Sequence, residues 1–554
     1  MSIVTRLDQR SVFFVLSFWT MFVSSTVGAV PARGAGNRDS GPMALVEIQP
    51  RATHLSHEVA SLAGTDDLLD SLHFAWFDRP YARATLAVLV KTSVALQREV
   101  RLRDRQSGAI SDARVRQMLD WCDQAVDRVR SGSRSISFRP DRLNLSGIER
   151  ADSFPASSLF GVVDRSTATA IHRQFRDFDL LAAAGLRVYA RSAREWATFD
   201  VLAKRATGLG IAAIAVNAAN AAYPGGDKSN EPLSAELYGT LRELGISVVR
   251  PASLRDLIQF SPEAQASEPH ATVLARPALG ESWPPMIARH ALARGISDNG
   301  RFVTDGWTLP HGAEPTIDQP SEVSAAMWVA ALDGQSLGLI RGWRDLRDGS
   351  GSPYPSLLTR PATTEAMFHT ALDLIRHEKL VEAFRTSSAL AIAINVDAVD
   401  ARNGNRWATW IRPVWTALVN RQIKFDVLPA GAVARAMGSR YAAILEIDQP
   451  SLNRDELLIK IERELAKSGS GRTRTQVVRD DGTLAEEIFV RIGRTPDGKQ
   501  CIAVANLTDR SQVVRLVGVP IVENLQDVLS HAVISPSLGE IRLSAWQVMI
   551  LWPR

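Results

Sequence analysis

Leu159-Phe160-Gly161-Val162-Val163-Asp164, Leu186-Arg187-Val188-Tyr189-Ala190-Arg191 and Ile211-Ala212-Ala213-Ile214-Ala215-Val216-Asn217 are three short apolar runs. Helical patterns over Ala170–Ala184 and Arg194–Thr207 separate them. Gly185 and Gly210 stand where each helix must stop and re-enter a sheet, which glycine does by tolerating positive φ. Near-continuous apolar runs alternating with helices call for a parallel sheet buried on both faces.

The alternation continues downstream. A helix over Ala235–Leu244 leads through Gly245 to Ile246–Arg250, and Thr272–Arg276 precedes a helix over Met286–Arg294. Arg301–Asp305, a helix over Glu322–Leu332 and Ser336–Gly342 follow. That makes seven candidate strands, where a closed barrel takes eight. The eighth is placed either in Gln259–His270 or at Ala389–Asn395. The fold class expected is α/β, a (β/α)8-type barrel over residues 158–386, closed by an amphipathic helix carrying Phe368, Leu372, Ile375, Leu380 and Phe384.

Flanking segments read differently. Over 387–470, Leu390–Ile394, a helix at Trp407–Asn420, Phe425–Leu428 and Ala442–Ile447 predict a small flavodoxin-like α/β domain. From 471 to 554, short strands at Glu487–Arg491, Cys501–Ala505, Gln512–Leu516 and Trp546–Leu551 are parted by polar turns, which predicts a β-sandwich. Upstream, residues 30–157 hold a Gly/Ala/Arg linker and a helical region. Its clearest helix starts at Asp112 and aligns Val115, Met118, Leu119, Cys122, Ala125, Val126 and Val129 on one face, with Ser131-Gly132-Ser133 as its end.

Residues 1–29 have the build of a signal peptide: Arg6 and Arg10, an apolar stretch from Val12 to Val23, then Val27-Gly28-Ala29. The expectation is a secreted or periplasmic chain with no stable membrane insertion after cleavage; an uncleaved anchor is the alternative. The 64 basic and 60 acidic side chains are dispersed without a basic stripe, which argues against nucleic acid as a partner. The two cysteines lie far apart, and His377-Glu378 lacks a second histidine at Val381, so no metal is expected. Gly208–Ala213 ends a helix where a dinucleotide loop would open one, so no cofactor is expected either. A homo-oligomer is left open.

The order signal, barrel, small α/β domain, sandwich resembles that of retaining β-glycosidases of clan A, especially family-42 β-galactosidases and their relatives. Phe160-Gly161 is similar to the start of their first strand, and Arg191, Trp196 and Asp200 to the end of their second. Glu523-Asn524-Leu525-Gln526-Asp527-Val528-Leu529 and Leu543–Leu551 resemble their last domain. The resemblance spans residues 158–554. It implies hydrolysis of β-linked sugars or polysaccharide fragments by two carboxyl groups, both glutamates in that clan, at the ends of the fourth and seventh strands.

Three carboxylates are candidates for that pair. Glu231 sits in Asn230-Glu231-Pro232, the expected tripeptide, but follows a polar stretch with no strand. Glu281 lies just past Thr272–Arg276, and Asp305 ends Arg301–Asp305; Trp283 and Trp307 stand two residues beyond them, suited to stacking on a sugar ring. Strand C-termini are where barrel enzymes keep their chemistry. Glu281 or Glu231 is read as acid/base and Asp305 as nucleophile, though Asp305 departs from the family's glutamate. Glu281 could instead cap the following helix and Asp305 bind loop amides, and the Glu231 tripeptide could be a chance match. Asp164, Arg191, Asn217, Arg341 and Trp343, at or just past strand ends, are candidate contacts to sugar hydroxyls. The rival reading is a non-catalytic glycan- or protein-binding pseudoenzyme on the same scaffold.

Overall fold

The computed structural model describes residues 45–63, 80–105, 110–134, 159–164, 188–192, 212–216, 246–249, 272–275, 283–296, 302–307, 320–340, 359–385, 388, 390–394, 418, 423–429, 441, 443–447, 454–467, 476–485, 487–495, 498–518, 525–534 and 540–553.

All seven strands expected at the centre form one sheet: β1 (Leu159–Asp164), β2 (Val188–Ser192), β3 (Ala212–Val216), β4 (Ile246–Val249), β5 (Thr272–Ala275), β6 (Phe302–Trp307) and β7 (Gln335–Ile340). Their order is β3-β2-β1-β7-β6-β5-β4. Read as a ring, this is simple sequence order with the first strand beside the last, cut between β3 and β4. A flat doubly-wound sheet would not set β1 against β7, so the order is that of a βα-barrel wall. One pairing departs from it: β4 runs antiparallel to β5, although the alternation predicted parallel strands throughout. Four-residue strands carry no mark of direction, which the intervening chain sets.

Ala389–Asn395 is not the eighth strand. β8 (Leu390–Ile394) lies in a separate parallel sheet with β9 (Phe425–Pro429) and β10 (Ala443–Ile447), in the order β10-β8-β9. With β8 central, that order matches the start of a flavodoxin-like sheet. The other candidate, Gln259–His270, lies outside the described residues, as does most of the helix expected at Trp407–Asn420.

The C-terminal strands make two antiparallel sheets, β11-β14-β17 and β12-β13-β18-β15-β16. Here β11 is Gln476–Val478, β12 Ile488–Arg494, β13 Gln500–Asn506, β14 Gln512–Val517, β15 Leu525–Asp527, β16 Val533–Ile534, β17 Glu540–Leu543 and β18 Val548–Pro553. Val477, Val514, Ile541 and Leu543 of one sheet share a core with Ile488, Val490, Ile502, Val504 and Leu551 of the other, which makes a sandwich. Alternation sends Phe489, Cys501, Ala503, Ala505 and Ile550 the opposite way, into the main core. The five-stranded sheet is therefore buried on both faces. One face holds the sandwich together and the other docks it.

The N-terminal region forms α1 (Leu45–Ala63), α2 (Pro80–Asp104) and α3 (Asp112–Arg134). The predicted apolar face of α3 is buried throughout. The helix passes Ser131-Gly132-Ser133 and ends at Arg134, slightly later than expected. Nearer the sheet lie α4 (Trp283–Ile296) and α5 (Pro320–Leu332), the latter buried from Ala325 through Leu332 on every side. A helix apolar all round must sit inside. It does so between α6 (Pro361–Arg376), β7 and β13. The single amphipathic helix expected after the barrel is broken at His377 into α6 and α7 (Glu378–Ala383). Finally, α8 (Arg454–Lys467) packs on β10. Among the described residues no helix is long and apolar enough to cross a membrane.

Candidate functional site

Residues paired across a ladder share a face of the sheet, and successive residues alternate. Asp164 pairs with Arg191. Val162, two residues earlier on β1, pairs with Tyr189 on one side and Ile340 on the other, and Ile340 pairs with Trp307. Asp164, Tyr189, Arg191 and Trp307 thus register on one face across the neighbouring strands β2, β1, β7 and β6. Asp164 and Trp307 end their strands, and Arg191 is the last but one of its own.

Asp305 belongs to the alternate face. It pairs with Leu339, which pairs with Gly161, an odd three positions from Asp164. Leu159, Val163, Val188, Ala190, Val303 and Leu337 register there, and so do the polar Ser192 and Gln335. A register irregularity between Asp305 and Trp307 parts two residues that plain alternation would keep together. Trp283 opens α4, just beyond β5. Glu231, Glu281, Asn217, Arg341 and Trp343 lie outside the described residues. Tyr189 was not singled out from sequence; its signal was there, two residues before Arg191 in a strand.

Away from this face, two clusters of described titratable side chains join separate parts of the molecule. In the first, α6 receives the N-terminal helices. Glu365 accepts hydrogen bonds from Thr85 Oγ1 (2.7 Å), Trp121 Nε1 (3.1 Å) and Arg128 Nη2 (2.8 Å). His369 Nε2 lies 3.1 Å from both Thr85 Oγ1 and the Tyr81 carbonyl oxygen, and the Tyr81 hydroxyl donates to Asp373. Burial, then the Asp373 charge, raises the Tyr81 phenol far above its ordinary value. Burial likewise raises the Asp373 carboxyl, against the pull of Tyr81, His369 and Arg376. Three donors converging on one carboxylate form a docking contact. Glu365→Ala should strand them and cost about 1–3 kcal/mol in chemical unfolding; loss of the α1–α3 layer to limited protease would be its visible sign.

The second cluster joins the barrel-side helices to both C-terminal units. Asp333, just past α5, faces Arg491 of β12 (Nη2–Oδ1 2.9 Å) and His290 of α4 (Nδ1–Oδ2 3.2 Å). Arg294 of α4 donates to Asp426 of β9 (2.8 Å) and to the carbonyl oxygens of Asp333 (3.0 Å) and Phe425 (2.7 Å). Ser388 and Tyr441 complete the Asp426 carboxylate at 2.8 and 3.0 Å. Among the described residues no group of His, Cys, Asp and Glu is placed to hold a metal ion.

Strand order and register together define the class of the molecule: a βα-barrel-type wall docked to a small parallel α/β unit and a β-sandwich. No family model and no curated protein matches the chain. Among solved structures it is similar to an apo exo-carrageenase GH42 from Bacteroides ovatus, at 9% identity and TM-score 0.48, covering 92% of this chain and 100% of that one. It is also similar to a β-galactosidase from the haloarchaeon Halorubrum lacusprofundi (12%, TM-score 0.39, covering 71% and 99%) and to one from Marinomonas ef1 (13%, TM-score 0.30, covering 93% and 85%). TM-scores this low do not establish a common fold, so the barrel-type order stands on the strand pairings alone.

Proposed function

We propose that this is an exported glycoside-hydrolase-like protein whose barrel mouth engages β-linked sugars or polysaccharide fragments. The observation that supports this reading best is the shared register of Asp164, Arg191 and Trp307 at the C-terminal ends of β1, β2 and β6, with Tyr189 on the same face two residues before Arg191. Strand C-termini are where barrels bind and react. A carboxylate, a guanidinium and two aromatic rings suit a saccharide, whose hydroxyls need charged partners and whose ring faces need flat apolar ones. On this reading the seven strands belong to a closed barrel, and Glu281 or Glu231 serves as acid/base with Asp305 as nucleophile. A retaining mechanism requires about 5–5.5 Å between the paired carboxyls.

The non-catalytic reading has its own support. Asp305 registers on the face opposite Asp164 and Arg191. A barrel with sugar contacts and no converging acid pair would bind without turning over.

One set of assays separates the two. Wild type, Glu281→Gln, Glu231→Gln and Asp305→Asn are compared on a panel of aryl β-glycosides. The hydrolase reading expects loss of about 100-fold or more in turnover for each true member of the pair. If nothing is hydrolysed but glycan arrays bind the protein and fail to bind Trp307→Ala, the binding reading holds. If neither turnover nor glycan binding is found, the proposal falls.

A further inference from the structure

α4 starts at Trp283, just beyond the C-terminal end of β5, and its last turns carry His290, Arg294 and Gly295 into the junction of Asp333 and Asp426. Its start is stiff. Trp283-Pro284-Pro285 puts two proline rings in the first turn, which fixes φ there and restricts the residue before them. A tryptophan tied in this way moves with the helix axis. Arg294 stands about 16 Å along that axis from Trp283, so a tilt of a few degrees at the junction shifts the first turn by about 1 Å.

Two kinds of contact hold the helix. Met286, Ile287, Ala291 and Leu292 are buried, and α4 packs on β5, β6 and β9. Burial of this kind is non-directional and leaves a helix free to slide or tilt. Among the described side chains of α4 the directional contacts lie at its C-terminal end. His290 faces Asp333, and the buried Arg294 donates to Asp426, to the Phe425 carbonyl oxygen and to the Asp333 carbonyl oxygen. Gly295 meets the Val427 backbone with no room for a Cβ. Two of the three Arg294 partners, and Val427, belong to β9. We propose that the small α/β unit sets the strand-end site through α4, with Arg294 as the positioning residue and Trp283 the residue it places. This rests on the sugar-binding reading above, in which Trp283 stacks on a sugar ring. Without its pin the axis is free to tilt, and a displacement of about 1 Å is enough to spoil an oriented site.

The test is a double-mutant cycle on the full chain, read as the dissociation constant for immobilised β-linked oligosaccharides of the glycan array. Arg294→Met and Trp283→Ala should each weaken binding about tenfold or more, and the double variant should lose no more than Trp283→Ala alone. Arg294→Lys, whose ammonium still reaches Asp426, should recover most of the loss. Additive losses, or an Arg294→Met variant that binds as wild type does, would overturn the proposal and leave the sugar-binding reading standing. Hydrogen exchange judges the positioning without a sugar. In Arg294→Met the amides of residues 287–289 should exchange faster than in wild type, while those of residues 500–506 in β13 keep their protection. A change confined to residues 290–296 and 425–428 would also overturn it. If wild type binds no glycan, the sugar-binding reading falls and exchange alone decides. Should Arg294→Met not fold, Asp426→Asn takes its place, removing the charge opposite Arg294 at nearly constant size.

Discussion

Asp333→Ala is expected to cost about 3–5 kcal/mol in chemical unfolding. The carboxylate is fully buried and meets Arg491 at 2.9 Å and His290 at 3.2 Å, with the Arg294 guanidinium 3.6 Å away. Removing one partner of a buried pair leaves the other charge with neither water nor counterion, which costs more than the pair contributed. Here one deletion takes the carboxylate away from Arg491 and leaves Asp426 as the carboxylate partner of Arg294. Because α4, α5 and β12 all close on this point, the sandwich should also detach more readily, seen as earlier proteolysis between the α/β unit and residue 488.

The acid side of the pH profile provides a check. Burial alone would raise the Asp333 carboxyl, but Arg491, the His290 hydrogen bond and Arg294 outweigh it and hold the group well below the usual carboxylate range. A depressed carboxyl contributes stability above its unfolded value, near 4, and loses it as pH falls further. The deficit of Asp333→Ala should therefore be full at neutral pH and shrink in strong acid. A deficit under about 1 kcal/mol at pH 7 would mean that the junction is solvated and its charges screened.

What could be read from the sequence follows from how local each signal was. The seven wall strands are short, largely apolar runs, most of them ended by a charged residue, and all were legible. So was the buried face of α3, whose apolar residues recur at helical spacing. The short strands β11, β15, β16 and β17 were not, because two to four residues offer too little alternation to stand out. Direction in β4 was lost for a similar reason. The junction was invisible for a different one. Arg491 alternates with Ile488 and Val490 as a solvent-facing residue would, and its partner lies 158 positions earlier. Only the second burial of that sheet, against α5, turns a surface-like arginine into a core one. The strand-end candidates Asp164, Arg191 and Trp307 were reached from position along the chain. Tyr189 joining them, and Asp305 leaving them, needed the register.

Gly295→Ala tests the same junction through the backbone, and the sign of the expected effect runs against local propensity. In an exposed helix interior, replacing glycine by alanine stabilises by about 1 kcal/mol. Gly295 is the penultimate residue of α4, and β9 passes directly over it. A Cβ built there lands on the Val427 carbonyl oxygen and lies 2.6 Å from the carbonyl carbon. The obstruction is strand backbone, so no rotamer change relieves it; α4 and β9 must separate. Their separation would pull Arg294, the adjacent residue, away from Asp426 and the Phe425 carbonyl oxygen, adding lost charge-assisted hydrogen bonds to the steric cost. The expected result is destabilisation of about 3 kcal/mol or more, the upper end of the range for overpacking a dense interior. Gly482→Ala is the control. It lies in an exposed turn with nothing near its Cβ but a φ of +80°, so its cost should be that of backbone strain alone, about 1 kcal/mol. If Gly295→Ala proved neutral or stabilising, α4 and β9 would not be in contact, and the three-way junction built on Arg294 would have to be abandoned.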